Sequence, residues 1–374
     1  MKKVVSIVTN YFEFDNRVLK EALSLKKNGY NSHVVALYMD GLKEYETVQD
    51  IPVHRIKLLT KKWPKSSFFQ LFKYLEFFLK VAFKYRKFNY VHCNDLDPLP
   101  IGVFIKTFLN RRIKVIYDAH EYETERNGIS ERGRKISRIV EKALIKKANA
   151  VITVSEGIAN EYVRLYGITP PTVLFNCPYY SEVKKGNIFR EKFNISKETR
   201  IFLYQGNLGI NRGIELLLST FKKLDNDKFA IVFMGYGFFE DEIINASKKY
   251  KNIYFHSAVN MDVLPNYTSS ADFGFYLIVN DCLSYYYTIG NKLWEYIMAH
   301  VPVIAFDLFD VGPILEKNKI GLILKDETEE NLINLINNID EASKTIRYEN
   351  FSVVNKKFNW ENQEKKLIKL YESL

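Results

Sequence analysis

Lys292 and Glu295 stand three residues apart in the run Gly290-Asn291-Lys292-Leu293-Trp294-Glu295-Tyr296-Ile297. On a helix such a pair shares one face, so the ammonium can meet an anion while the carboxylate accepts from hydroxyls. A nucleoside diphosphate carries both kinds of group. The run leads into Val301-Pro302-Val303-Ile304-Ala305-Phe306, an apolar stretch with the character of a buried strand, so the helix starts beside a sheet. The plainer alternative for an isolated Lys/Glu pair is a surface salt bridge.

A second element suited to phosphate lies upstream. Tyr204-Gln205-Gly206-Asn207-Leu208-Gly209-Ile210-Asn211-Arg212-Gly213 falls between the apolar run Ile201-Phe202-Leu203 and a helix marked by Ile214, Leu217, Leu218, Phe221 and Leu224. Glycines let the turn approach a ligand closely, a helix start offers unpaired N–H groups, and Arg212 adds a fixed charge with several donors. Tight turns without function are as common as such cradles; two phosphate-suited elements in one half of the chain carry more weight than either alone.

These residues need sheets to hold them, and the chain supplies the pattern. Its 374 residues suggest two domains, and 47% apolar with 26% charged residues describe an ordinary globular protein. Strand-like runs alternate with helical ones almost throughout, the signature of parallel sheets covered by helices. Six strands are expected in the first half, near Val4–Thr9, His33–Tyr38, Val53–Leu58, Tyr90–Cys93, Lys114–Tyr117 and Ala150–Val154. Six more are expected near Ile201–Tyr204, Ala230–Met234, Ile253–Phe255, Phe273–Leu277, Pro302–Ala305 and Gly321–Leu324. The polar stretch from Asn176 through Thr199 reads as a linker.

In such sheets ligands bind beyond the carboxyl ends of the strands. That draws attention to Asn10-Tyr11, Asn94-Asp95-Leu96-Asp97, Asp118-Ala119-His120-Glu121, Gly206-Asn207 and Gly235-Tyr236-Gly237. Ser155 reads as a helix cap and Asp97-Pro98 as a helix start. Asp15 before the helix of Val18, Ala22 and Leu25 reads as a cap as well, while Arg17 can face the ligand cleft.

The net charge of +10 is uneven: residues 1–180 hold 30 Lys and Arg against 18 Asp and Glu, and residues 181–374 hold 24 against 26. Within 61–88 the polar residues Lys73, Glu76, Lys80, Lys84 and Lys87 form a narrow helical stripe on an otherwise apolar, aromatic segment. It is either core with one wet edge or a basic aromatic surface for an anionic bilayer. Nucleic-acid binding fits less well, since the aromatics follow helix periodicity and no nucleic-acid module is present. Cys93, Cys177 and Cys282 have neither disulfide nor metal-site spacing, and the short apolar start, Val4 to Val8, reads as a first strand rather than a signal. The expected location is cytoplasmic, at the inner face of the cell membrane.

With these pieces placed, the chain resembles family 4 of the glycosyltransferases, which have the GT-B architecture: α/β, two Rossmann-like doubly wound domains facing across a cleft. The resemblance runs through Asp15-Asn16-Arg17, Tyr117-Asp118-Ala119-His120-Glu121, Ala148 to Ser155, Asn176-Cys177-Pro178, Gln205-Gly206 to Arg212-Gly213, Met234-Gly235-Tyr236-Gly237 and Asn291-Lys292-Leu293-Trp294-Glu295-Tyr296. It implies an acceptor-binding domain over 1–180, a nucleotide-sugar-binding domain over 181–352 and a C-terminal segment, 353–374, crossing back to the first domain. It implies a retaining transfer from a nucleotide-sugar co-substrate to a glycan or lipid-linked acceptor, with no metal and no other cofactor. His120, Arg212 and Lys292 are the candidate catalytic residues. Gly206, Asn207, Gly209, Gly235, Asn291, Glu295, Asn10, Arg17 and Glu121 are the candidate substrate contacts. The sequence departs from the family at Asn207, where many members have arginine, and near Tyr287, where the first of two paired glutamates would stand. Those departures keep a second class of reading open, a non-catalytic nucleotide-sugar-binding partner of another transferase; a nucleotide-sugar epimerase is the third.

Overall fold

In a computed structural model, which describes residues 1–13, 15–224 and 226–374, the chain forms two compact units. One comprises Met1–Leu174 with Gln363–Leu374, the other Phe175–Asn362.

The first unit is built on an eight-stranded sheet. Its strands are β1 (Lys3–Ile7), β2 (Asn31–Leu37), β3 (Tyr45–Val48), β4 (Ile51–Ile56), β5 (Tyr90–Asn94), β6 (Lys114–Ala119), β7 (Ala150–Thr153) and β8 (Thr172–Val173). They lie in the order β3-β4-β2-β1-β5-β6-β7-β8, parallel except for β3 against β4. The strand order reverses between β1 and β5, the switch point at which doubly wound sheets open a crevice. Near-continuous apolar runs such as Val4-Val5 and Val115-Ile116 make these strands because helices cover both faces.

The helix Asn16–Lys27 follows β1. Asp15 caps it by accepting from the amide of Val18 at 3.2 Å, and Lys26 and Lys27 complement the dipole at its far end. Ser155 caps the helix Glu156–Tyr166 in the same way, accepting from Ile158 at 3.2 Å. The core holds Val4, Leu25, Tyr30, Tyr90, Ile116, Ile152 and Leu174, and it is completed by Leu367 and Tyr371 near the C-terminus. The segment 61–88 contains the helix Ser67–Tyr85, whose Phe77, Val81, Ala82 and Tyr85 are buried while Phe68, Leu71, Leu75 and Phe83 are exposed. It is therefore core on one flank and apolar surface on the other.

The second unit has six parallel strands, β9 (Arg200–Asn207), β10 (Phe229–Tyr236), β11 (Ile253–Ser257), β12 (Phe273–Tyr276), β13 (Val303–Phe306) and β14 (Gly321–Leu324), in the order β11-β10-β9-β12-β13-β14. Its switch point lies between β9 and β12. The stretch 176–199, read from the sequence as a linker, is part of this unit: it carries the helix Ile188–Phe193 with Phe189 fully buried, and Cys177 is buried too.

All twelve expected strands are present, and β3 and β8 are additional. The turn from β3 into β4 uses Gln49 and Asp50 at φ +44° and +68°, the geometry of a tight hairpin without the Asn-Gly pair that usually announces one.

Candidate functional site

At the switch point of the second unit, β9 runs further than its apolar residues suggest, keeping register with β10 through Gly206 opposite Gly235 and Asn207 opposite Tyr236. The strands approach so closely there that a Cβ on Gly235 would stand 1.8 Å from the Gly206 carbonyl oxygen. The turn then folds over itself. Asn207 lays its side chain across the bend, its Oδ1 only 2.9 Å from where a Cβ on Gly209 would stand. Gly213, at φ +75° and packed against Leu277, precedes the helix Ile214–Lys223, so the turn delivers Arg212 immediately before a helix start.

The helix Asn291–Met298 begins at the same end of the sheet. The Gly290 amide donates to the hydroxyl of Tyr276, the last residue of β12, at 2.6 Å. Asn291, exposed, accepts from the side chain of Asn176 at 2.7 Å. Lys292 reaches back over β9: its Nζ stands 3.7 Å from the centre of the Tyr204 ring, and its Cε lies 3.8 Å from the Cβ position of Gly206. Burial, then the nearby Arg212 charge, push the Lys292 ammonium down to about 7, against the opposing pull of Glu295. Arg212 itself is half-buried, its guanidinium 4.9 Å from the centre of the Tyr285 ring.

Glu295 is held by a relay that begins in the core. Its Oε2 accepts from Gln205 Nε2 at 2.7 Å, and Gln205 Oε1 accepts from the Thr268 hydroxyl at 2.8 Å. The Gln205 amide donates to the Tyr296 hydroxyl, which donates onward to the Leu203 carbonyl. Gln205 is 2% exposed, so its two side-chain atoms have fixed roles, and the carboxylate of Glu295 is oriented rather than free to follow solvent. The sequence named Glu295 as a contact but not Gln205 as its anchor; a polar residue in the last buried position of a strand was the available signal. Tyr285, under the guanidinium, was missed likewise, while Tyr236, in the stretch singled out after β10, is 66% exposed at the end of that strand. Tyr287, where the resemblance expects a glutamate, packs on Tyr286 and Phe309 with ring centres 5.0 and 5.1 Å away.

In the first unit the residues after β1, β5 and β6 form a separate cluster. His120 places Nε2 3.3 Å from Asp118 and Nδ1 3.5 Å from Asp95. Burial, the largest influence, would lower its pKa; the carboxylates of Asp95 and Asp118 outweigh it and raise the imidazole to about 9. His120 is thus an imidazolium near neutral pH. Asp95 adopts φ +70° and also accepts the His120 backbone amide at 3.3 Å. Strained backbone of this kind concentrates where a side chain must be aimed. The pairing of β5 with β6 puts Asn94 opposite Asp118, which is what brings Asp95 to His120. Glu121 is half-exposed beside the Arg126 charge. Asn10 is exposed, and its side chain spans the bend by accepting from Phe12 and donating to Asp15, both at 2.9 Å.

Arg17 corrects the expectation that it faces a ligand. It is 5% exposed, and its guanidinium donates to Asp118 at 2.9 Å, pairs with Glu21 at 3.1 Å and donates to the Leu174 carbonyl at 2.9 Å. Burial disfavours the Asp118 carboxylate, but Arg17 and His120 hold it well below the usual range. Burial together with Asp118 holds Glu21 well above it. Glu21, His92 and Asp118 bring ligand-type atoms within 4.8 Å of one another; the guanidinium already supplies the positive charge of that cluster.

Beyond the carboxyl ends of β1, β2 and β4 lies a cavity of about 400 Å³, lined in part by Tyr11, Tyr38, Tyr74, Lys61, Lys65 and Lys73. Hydroxyls and ammonium groups around apolar walls suit a polar or anionic ligand carrying rings or chains.

Two family profiles match the chain, Glycosyltransferase Family 4 over residues 16–177 and Glycosyl transferases group 1 over residues 186–372. An uncharacterized glycosyltransferase of Methanocaldococcus jannaschii is 22% identical over 375 residues, covering 94% of this chain and 91% of that protein. Among solved structures, sucrose-phosphate synthase from Thermosynechococcus elongatus superposes with a TM-score of 0.78 at 17% identity, covering 100% of this chain and 99% of that one. Anabaena HepE, solved in complex with UDP-glucose, superposes with a TM-score of 0.76 at 14% identity and covers 100% of both chains. The fold is the GT-B fold, two Rossmann-like α/β domains.

Proposed function

The chain belongs to the group 1 glycosyl transferases, and on that premise we propose that it moves a sugar from a nucleotide-diphosphate-sugar donor to a glycan or lipid-linked acceptor in bacterial cell-envelope polysaccharide synthesis, at the inner face of the membrane. One observation carries the reading of the donor. Arg212, Lys292 and the open turn at Gly206 and Asn207 converge at the switch point of one unit, beside a carboxylate that Gln205 holds in place.

The donor diphosphate docks against Arg212, Lys292 and the amides of the turn and of Gly235, and Glu295 accepts from the ribose hydroxyls. When the bond between the anomeric carbon and the phosphate oxygen breaks, positive charge grows on the sugar and negative charge on the departing diphosphate. Fixed cations and amides aimed at that oxygen lower the barrier because they need no reorganisation. They supply that charge without a metal or another cofactor. The acceptor hydroxyl forms the new bond on the face the phosphate leaves, so configuration is retained, and its proton passes to the departing phosphate oxygen. His120, by its place in the family motif, donates from its imidazolium to the reacting sugar. The basic cavity of the first unit, with its three tyrosines, takes the acceptor.

Transfer from UDP-, GDP- and ADP-sugars, with the product's anomeric configuration read by NMR, tests this. Arg212→Ala should lower turnover on the order of 10²-fold or more with an unchanged melting temperature. Near-normal turnover in that variant would refute the charge assignment.

A further inference from the structure

The helix Ser67–Tyr85 is apolar on two opposite flanks, and only one is needed by the fold. Phe77, Val81, Ala82 and Tyr85 are buried against the first unit. On the other side Phe68, Leu71, Phe72, Leu75, Leu79 and Phe83 are 65%, 62%, 39%, 46%, 41% and 49% exposed, at spacings of three and four that align them in one stripe. At 1.5 Å per residue the stripe is about 22 Å long. It continues sideways through packed rings, Phe78 edge-to-face with Phe104 at 5.1 Å and Phe104 tilted against the 72% exposed Phe108 at 5.2 Å. Exposed apolar area of this extent marks a surface that something covers.

The charges around the stripe say what. Lys62 and Lys65 precede the helix, Arg86 and Lys87 follow it, and Arg111 and Arg112 lie just beyond Phe108; all six are exposed and none forms a salt bridge among the described residues. From residue 55 to residue 112 the only carboxylates are Glu76, Asp95 and Asp97, and Glu76 is taken by Lys80, Thr60 and the Leu59 amide. A two-fold contact between copies of this face would set like charge against like charge. An anionic bilayer meets both features at once: its headgroups neutralise the rim while its acyl boundary takes the rings and leucines. No helix among the described residues is long and apolar enough to cross a membrane, so the contact is one of lying on the surface.

We propose that the flank of Ser67–Tyr85 carrying Leu71, Leu75 and Leu79, extended by Phe108, docks on an anionic lipid surface. The opposite flank of the same helix contributes Gln70, Lys73, Tyr74 and Phe77 to the basic cavity of the first unit. A membrane-bound acceptor would therefore meet that cavity one helix diameter from the headgroups. That last consequence rests on the proposed function; the docking does not.

The protein carries its own reporter. Of its three tryptophans, Trp294 and Trp360 are buried, and Trp63, 44% exposed and packed on Phe69 and Phe72 at the start of this helix, is the solvent-facing one. Flotation of the full chain with phosphatidylcholine vesicles, and with vesicles holding about one-third phosphatidylglycerol, should give at least tenfold more bound protein on the anionic ones, with a blue shift of Trp63 emission. Leu71→Ser/Leu75→Ser/Leu79→Ser and, separately, Arg111→Glu/Arg112→Glu should each lower that binding about tenfold while leaving the circular dichroism spectrum unchanged. Because the second pair touches no apolar position, a misfolded first variant leaves the test intact. Equal binding to both vesicle types, no binding to either, or variants that bind like the parent would overturn the proposal. So would sedimentation showing a parent dimer that these substitutions dissolve. No donor enters the assay, so its failure is separable from failure of sugar transfer, which is read with a water-soluble acceptor.

Discussion

The ammonium of Lys292 stands 3.7 Å from the centre of the Tyr204 ring, a cation resting on the face of a buried residue near the end of β9. The contact keeps a desolvated lysine beside Arg212, with Glu295 pulling against the two charges. A site with that balance is completed by an anion.

Proton uptake on ligand binding follows from it. Lys292 is held down to about 7 by burial and Arg212, and a diphosphate placed beside it favours the charged form and raises the value. Nucleoside diphosphate affinity should therefore be greatest below pH 7 and fall as pH rises through 7 toward the bound-state value. Calorimetry at neutral pH in two buffers of different ionisation enthalpy should show net proton uptake, and Lys292→Met should abolish it.

Gln205 acts on the donor only through Glu295. Gln205→Leu keeps the volume and removes both the donor at 2.7 Å from Glu295 and the acceptor of Thr268. Loss of a hydrogen bond to a carboxylate is worth about 1.5–3 kcal/mol, so donor KM should rise roughly ten- to a hundredfold. Initial-rate kinetics at fixed acceptor would check this, and Glu295→Gln should produce a similar rise.

His120 is raised to about 9 by two carboxylates that prevail over burial. Its folded-state value exceeds the unfolded one, so the stabilisation it brings is complete below about 6.5, the ordinary histidine value. That stabilisation is lost as pH rises through 9. Asp95→Asn should move the His120 midpoint downward in an NMR titration and flatten the loss of stability between neutral pH and pH 9. Asp95→Asn without movement of that midpoint would remove Asp95 from the account of His120.

The C-terminal residues are structural before they are anything else. Tyr371 is fully buried, meets Tyr30 edge-to-face and Tyr90 at a tilt, and shares a hydrogen bond with His92 Nδ1 at 2.8 Å. Tyr371→Ala should destabilise the first unit by roughly 3–5 kcal/mol, the range for large core truncations. Tyr371→Phe should cost about 1–2 kcal/mol, one buried polar partner. Urea unfolding of the full chain distinguishes the two.

The sheets were legible because parallel strands buried on both faces leave unbroken apolar runs such as Ile201–Leu203 and Val303–Phe306. The ends of those strands were less so: β9 continues through the glycine and asparagine that look like turn residues, because pairing with β10 overrides their local preference. Arg17 shows the limit of reading a polar residue near a strand end. Its neighbours in space, Asp118 and Leu174, lie 101 and 157 residues away, and nothing local distinguishes a guanidinium aimed at a ligand from one aimed at a buried carboxylate. Gln205 and Asp95 stood in stretches the sequence singles out but received no role there, since their importance comes from Glu295 and His120, which reach them only through the fold.

The central claim is that a diphosphate docks on Arg212, Lys292 and the turn at Gly206. Calorimetric titration of the wild type and of Arg212→Ala with UDP, GDP and ADP, each alongside its monophosphate, tests it most directly. At least one diphosphate should bind at a single site, more tightly than its monophosphate, and lose tenfold or more of its affinity, about 1.4 kcal/mol, in the variant. Binding that is absent for all three diphosphates, or unchanged when Arg212 is replaced, would contradict it.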